Sequence, residues 1–241
     1  HSFPYLFSRD NMIKTDQTTN ASTVVLVIVA HQDDETFGMG GTIVKHVAQG
    51  HVVYAISLTD GVSSRALTSP ERVSRRAREA IAAADELGFH WLSCASFPDN
   101  GLDSVPLLSI LHYIEDAVRD LSPRFVYTHS PTDLNVDHRL VYQAVMTVFR
   151  PFAGWGTPQI LTFEIPSSTD FSLGRINGVF RPNYFVNVTD EMDKKLSGVR
   201  RYESELRPYP HPRSILGVRN LAKYRASHVG FDYAESFEII R

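Results

Sequence analysis

The succession of apolar runs and helix signals predicts an α/β fold: a Rossmann-like, doubly wound and mainly parallel sheet flanked by helices, with an elaborated C-terminal region. Three observations carry this. Residues 23–30 form one continuous, largely β-branched run, the mark of a strand covered on both faces. Four strand-then-helix units follow one another up to residue 150, as parallel strands joined by helical crossovers require. Past Pro151 the alternation gives way to a different pattern.

The first helix is read as opening at the glycine cluster 38–41 and running through Thr42-Ile43-Val44-Lys45-His46-Val47 to a stop at Gly50. Gly38, Gly40 and Gly41 lack the G-x-G-x-x-G spacing of a dinucleotide loop, so they indicate a tight turn and close helix packing, not a nicotinamide cofactor. Residues 51–58 form the second strand. Ser69-Pro70-Glu71 opens the second helix with a capping residue and a proline at its first position, and Gly88 stops it. Residues 91–95 give a third strand, 105–121 a third helix, 124–128 a fourth strand and 137–150 a fourth helix. Beyond these, 159–165 and 184–188 read as strands and 191–206 and 214–227 as helices, adding an edge to the sheet and covering one end of it. Residues 1–22 are polar and irregular and read as an arm, and 23–241 as a single domain. His1 is set aside as a tag residue.

Composition narrows the function. With 24 Lys+Arg against 27 Asp+Glu the net charge is −3, and the basic excess of a nucleic-acid binder is missing. Hydrophobic residues at 43% and charged residues at 21% exclude a wholly disordered chain. Cys94 is the only cysteine, which excludes an intrachain disulfide and a multi-cysteine zinc site and fits a cytoplasmic location. No apolar run approaches the roughly 18 residues that span a bilayer. A homo-oligomer stays open.

Two polar clusters follow strands. The first is Ala30-His31-Gln32-Asp33-Asp34-Glu35; the second runs Thr128-His129-Ser130-Pro131-Thr132-Asp133-Leu134-Asn135-Val136-Asp137-His138. Ionisable residues directly after a buried strand are costly unless the strand ends in a solvated pocket. In the common doubly wound order the first and fourth strands are neighbours whose connections leave on opposite sides, and ligands bind in the crevice between them. The clusters are therefore expected to meet. His31, Asp34 and His138 would supply two imidazoles and a carboxylate, a set that suits zinc, and Asp33 would stand free beside a metal-activated water as general base. Such a site suits hydrolysis of an amide or ester.

With these motifs in place, the chain resembles the LmbE-like (PIG-L) superfamily of zinc-dependent N-deacetylases, which act on N-acetylglucosaminyl conjugates. Its first motif, Ala-His-Pro-Asp-Asp-Glu followed by Gly-Gly-Thr, stands here as residues 30–35 and Gly40-Gly41-Thr42; its His-x-Asp-His motif stands as Asn135-Val136-Asp137-His138. Thr59-Asp60-Gly61, Pro98-Asp99-Asn100-Gly101-Leu102 and Tyr233-Ala234-Glu235-Ser236-Phe237 also match. The resemblance implies zinc on His31, Asp34 and His138, Asp33 as base, Arg65 as a substrate-contacting arginine, Asp99 as a sugar-binding carboxylate, and a small N-acetyl amino sugar or glycoconjugate as substrate. The chain departs from the pattern twice. Gln32 replaces the usual proline, and Asn135 replaces the first histidine of the second motif. Asparagine can donate a hydrogen bond to an oxyanion but cannot shuttle a proton. Acid duty would then fall to protonated Asp33, or to His129 or His211, which are placed with the substrate-binding set.

The plainer readings stand beside these. A metal-binding but catalytically silent sugar-binding protein gains credit from Asn135. A receiver-like signalling domain would be about half this length and would need neither His31 nor His138. Asp137 is expected to orient a ligand or neighbouring backbone. Arg72, Arg75, Arg76 and Arg78 read as the wet face of a helix. The proline-rich stretch 207–214 is either a rigid connector or a strap presenting Tyr209, His211 or Arg213 to the pocket. His46, His51, His90, His112 and His228 read as structural or surface residues.

Overall fold

The computed structural model describes residues 22–64, 69–174 and 178–241. Arg65 and nearly all of the N-terminal arm thus lie outside the described residues. The elements run β1 (Val24–Val29), α1 (Asp34–Ala48), β2 (Val52–Thr59), α2 (Pro70–Leu87), β3 (His90–Phe97), α3 (Leu107–Val118), β4 (Phe125–His129), α4 (Val136–Val148), β5 (Gln159–Phe163), β6 (Tyr184–Asn187), α5 (Met192–Arg201), α6 (Ile215–Ser227) and β7 (Ala234–Ile239). They build a seven-stranded sheet of order β3-β2-β1-β4-β5-β7-β6. The strands from β3 to β5 are parallel, and β7 pairs antiparallel with both β5 and β6. The expected doubly wound sheet is present, and the C-terminal third supplies its added edge.

The period-two alternation of β1 sorts its side chains onto two faces. Val25, Val27 and Val29 pack in one core with Phe37 and Ile43 of α1, Ala83 and Leu87 of α2, Leu196 of α5 and Ala222 of α6. Leu26, Ile28 and Ala30 pack in the other with Ile110 and Ile114 of α3 and Val141 and Val145 of α4. The central strand is thereby removed from water on both sides. No helix among the described residues is long and apolar enough to cross a membrane.

Three local readings are corrected. The first helix begins at Asp34, not at the glycines, because Asp33 O already accepts the Thr36 and Phe37 amides. The glycines lie inside α1, where the helix presses on the sheet: a Cβ on Gly38 would stand 2.4 Å from Phe163 Cδ2, and one on Gly41 2.9 Å from Val188 Cβ. The fifth helix ends at Arg201, short of residue 206, and residues 234–239 form a strand that periodicity alone did not reveal.

Glu235 on β7 explains why that late segment matters. Helix α1 kinks at Met39 (φ −142°), which frees amides in mid-helix. Glu235 accepts two of them, Gly41 N at 2.9 Å and Thr42 N at 2.6 Å, and pairs with buried Lys195. Removing this carboxylate strands a buried ammonium. We expect Glu235→Ala to lower the unfolding free energy by about 3–5 kcal/mol, read by urea denaturation. A loss no larger than that of an exposed ion pair would show that Lys195 has another partner.

Candidate metal centre and active site

Strands β1 and β4 pair in parallel (Val25↔Phe125, Val27↔Tyr127), while α1 and α4 pack on opposite faces of the sheet. The two connections diverge and leave a crevice at the strand ends. His31 follows β1, Asp34 opens α1, and His138 lies in the first turn of α4. The topology brings all three into one buried group.

His31 Nδ1 lies 3.1 Å from Asp34 Oδ2, His138 Nε2 lies 3.3 Å from the same oxygen, and the two ring nitrogens are 3.2 Å apart. Ligand bonds of 2.0–2.1 Å in a tetrahedral zinc site set ligand atoms about 3.3–3.4 Å apart. Asp34 Oδ1 is buried without a hydrogen-bond partner. The donor set and its spacing fit a zinc-sized cation.

The flanking carboxylates fix how each imidazole faces the site. His31 Nε2 lies 3.3 Å from both Asp99 Oδ1 and Asp137 Oδ2, so it carries the ring proton and leaves Nδ1 as donor to a metal. His138 Nδ1 makes a 3.1 Å ion-pair contact with Asp133 Oδ2, leaving Nε2 toward Asp34. His31, Asp99 and Asp137 also form a group compact enough for a cation. Each of these carboxylates is anchored through its other oxygen: Leu102 N donates to Asp137 Oδ1, and Ser64 N and Oγ donate to Asp99 Oδ2, which turns Asp137 Oδ2 and Asp99 Oδ1 toward His31. We assign that second group to orienting His31.

Electrostatics follow from burial among charges. Burial opposes the charged form of His31, but hydrogen bonds to Asp137 and Asp34 outweigh it and hold the imidazole well above its usual value. His138, likewise desolvated, is raised to about 9 by Asp34 and Asp133. Asp34 is held well below the carboxylate range because His138 and His31 outweigh its desolvation.

Asp33 sits beside the metal group in a backbone conformation uncommon for an L residue, φ 148°. Its Oδ2 accepts Arg213 NH1 at 2.9 Å, and the same guanidinium reaches to 3.9 Å from Asp34 Oδ1. Oδ1 is buried and has no partner. Burial raises the Asp33 pKa, against the pull of Arg213 and Arg76. Glu35 Oε2 accepts the Asp33 amide at 3.0 Å, and its own carboxyl is pushed to about 7 by burial.

Of the other residues singled out from the sequence, Asp99 lies in the cluster, in contact with His31 and Ser64. Asn135 caps α4: its Oδ1 accepts Asp137 N at 2.8 Å and its Nδ2 donates to Asn100 Oδ1 at 3.1 Å. His129 is fully buried, stacked on His138 with centroids 3.9 Å apart, and its Nε2 accepts the Ala30 amide. That placement packs His129 against the ring of His138. His211 Nδ1 accepts Arg213 N within the strap and, among the described residues, makes no hydrogen bond or ion pair with the metal group. The strap presents Arg213 instead. Arg76 corrects the wet-face reading of its helix: it is 1% exposed, facing inward to Gln32, Asp33 and Glu205. Only its place on the apolar stripe beside Ala80 and Ala83 signalled this in the sequence.

The chain is similar to known proteins in sequence and in fold. The family described as PIG-L, GlcNAc-PI de-N-acetylase, matches residues 26–149. The chain is 27% identical over 244 residues to the diacetylchitobiose deacetylase of Thermococcus kodakarensis, covering 94% of this chain and 86% of that protein. It is 26% identical over 196 residues to the 4-oxalmesaconate hydratase of Pseudomonas putida, covering 73% and 71%. The fold matches the solved N,N'-diacetylchitobiose deacetylase of Pyrococcus horikoshii with TM-score 0.71 at 23% identity, over 91% of this chain and 84% of that one.

A cation entering this group must displace the protons that the carboxylates hold on the imidazoles. Because the His138 value is raised to about 9, loading at neutral pH should release protons, and affinity should weaken further as pH falls. Calorimetry of zinc binding in buffers of different ionisation enthalpy reads the proton count directly. His138→Ala should sharply lower bound zinc in elemental analysis while the fold survives; full occupancy would remove His138 from the ligand set.

Proposed function

The chain belongs to the PIG-L family of GlcNAc-PI de-N-acetylases, and we propose that it is a zinc-dependent hydrolase that removes the acetyl group from an N-acetylated amino sugar or glycoconjugate. The observation that carries this is the compact His31, Asp34 and His138 donor set with a second carboxylate, Asp33, tied to it through one guanidinium. The alignment to a deacetylase of acetylated sugars spans 94% of the chain, that to the hydratase 73%, and we therefore favour amide hydrolysis. We take residues 23–241 as one catalytic domain, and the lone Cys94 supports a cytoplasmic setting.

His31 Nδ1, Asp34 Oδ2 and His138 Nε2 would hold the zinc. When bound, zinc supplies a more acidic water and a Lewis acid for the acetamide carbonyl. Asp33 accepts the proton of the attacking water on Oδ1, the oxygen that carries no other partner. Arg213 and Arg76 keep the opposite oxygen in place. As the C–N bond breaks, protonated Asp33 returns that proton to the amine, and acetate and a free amino sugar leave. Asn135 Nδ2 donates one N–H to Asn100 Oδ1, and its second N–H would serve the carbonyl oxygen as charge develops on it. Arg65 is retained as a substrate contact by resemblance.

Zinc-loaded protein should release acetate from N-acetylglucosamine oligomers, stop with a chelator and recover with zinc. Absence of acetate release across free, nucleotide-linked and lipid-linked N-acetyl sugars would overturn the assignment. Asp33→Asn should keep zinc and lose about 100- to 10,000-fold in turnover, whereas Asp34→Ala should lose metal and turnover together. Asn135→Asp retains the cap oxygen and loses the donor. It should cost about 100- to 1000-fold in turnover at full zinc occupancy, and wild-type turnover would leave Asn135 only its cap.

A further inference from the structure

We propose that Arg76, Glu205 and Arg213 form a buried clamp that positions Asp33, so that one carboxylate oxygen is fixed and the other is left for proton transfer. The proposal rests on the assignment of Asp33 as the base. Arg76 enters from α2 and donates NH1 to Gln32 O at 2.7 Å, with the same nitrogen 3.6 Å from Asp33 Oδ2. Its slot exists because residue 61 is glycine (φ +68°): a Cβ there would stand 2.9 Å from Arg76 NH1. Arg213 comes from the proline-rich strap. Its NH1 reaches Asp33 Oδ2 at 2.9 Å and Glu205 Oε2 at 3.4 Å, and its guanidinium lies over the Phe37 ring at 5.1 Å. Glu205 pairs with both arginines and so separates two like charges.

The clamp acts on a conformation that needs holding. Asp33 has φ 148°, and three contacts pin it: Arg76 on the preceding carbonyl, Glu35 on its amide, and Arg213 on its Oδ2. Oδ1 is left buried and unpartnered. The guanidinium fork matters here, because each arginine bridges two acceptors that a single ammonium cannot span with the same geometry. Neither arginine is given a bond to make or break. They are positioning residues.

The test uses the full, zinc-loaded chain as Arg213→Ala, Arg76→Lys and Glu205→Gln. Misplacing a reacting group by about 1 Å costs on the order of 100-fold, so kcat for acetate release should fall on that scale with KM and bound zinc unchanged. Free guanidinium should restore part of the rate of Arg213→Ala, whose site is partly open to solvent. Crystal structures should show the Asp33 carboxylate turned and its φ relaxed. Wild-type kcat in all three variants, a loss that follows metal content, or an Asp33 unmoved without Arg213 would each overturn the clamp. Since the Asp33 conformation is read independently of turnover, a wild type that releases no acetate overturns the functional assignment alone. Arg76→Lys is the variant most at risk of misfolding, and the Arg213 site, whose side chain is 16% exposed, keeps the question decidable.

Discussion

A fully buried carboxylate cannot be left alone, and Asp34 is 0% exposed. Taking such a charge out of water costs several kcal/mol unless geometry and hydrogen bonds compensate. His31 and His138 supply the compensation, and since they are buried too, each needs partners in turn. Asp99 and Asp137 take His31; Asp133 takes His138. These carboxylates are then satisfied by Ser64 after β2, Leu102 N after β3, and Ser168 and Thr169 after β5. The loops at the carboxyl ends of five parallel strands are thereby tied to one oxygen atom's surroundings. The same charge problem that makes a cation site also gives the mouth of the sheet its shape.

The cluster is divided electrostatically. On the His31, Asp34 and His138 side, carboxylates exceed permanent cations, and a divalent metal would restore balance. On the Asp33 side the balance is already made, by Arg76 and Arg213. Two aspartates adjacent in sequence thus meet different partners, and the unusual backbone angle at Asp33 is what separates them. Under the proposed function one ligates and the other acts on a proton. A regular helical start at residue 33 would not hold the two carboxylates in this relation, which is a physical reason for strain at this position.

Much of this was legible in the sequence because it rests on periodicity and on chain topology. The β-branched run at β1 and the glycine and proline stops gave the parallel units, and neighbouring first and fourth strands then put His31 and Asp34 opposite His138. What escaped was set by tertiary contact. Glycine signals placed the start of α1 too late, since Gly38 and Gly41 serve the approach of Phe163 and Val188, which no local pattern encodes. Strand β7 alternates poorly because Glu235 and Ser236 are both buried, each answering a distant polar group. Arg76 looks like its exposed neighbours Arg72 and Arg75 by composition; its inward partners, Gln32, Asp33 and Glu205, all lie far from it in the chain. Arg213 was one of three candidates on its strap, and nothing local ranked it above Tyr209 or His211.

Asn135 shows how a single departure redistributes duties. Helix α4 carries His138 in its first turn, so the orientation of that ligand depends on how the helix begins. Asn135 Oδ1 closes the turn by accepting Asp137 N, and Asn100 secures the other end of the carboxamide. A histidine at this position offers no carboxamide oxygen to reproduce that cap. The cost falls on proton supply. Among the described residues, His129 stacks on His138 and His211 Nδ1 accepts the Arg213 amide within its own strap. Under the proposed reaction the proton that Asp33 removes from water is the same proton that the departing amine requires, and the account closes without a second acid. Under that proposal, a chain with asparagine in place of the histidine runs on one carboxylate, provided that carboxylate is held still, which is the role proposed for Arg76 and Arg213.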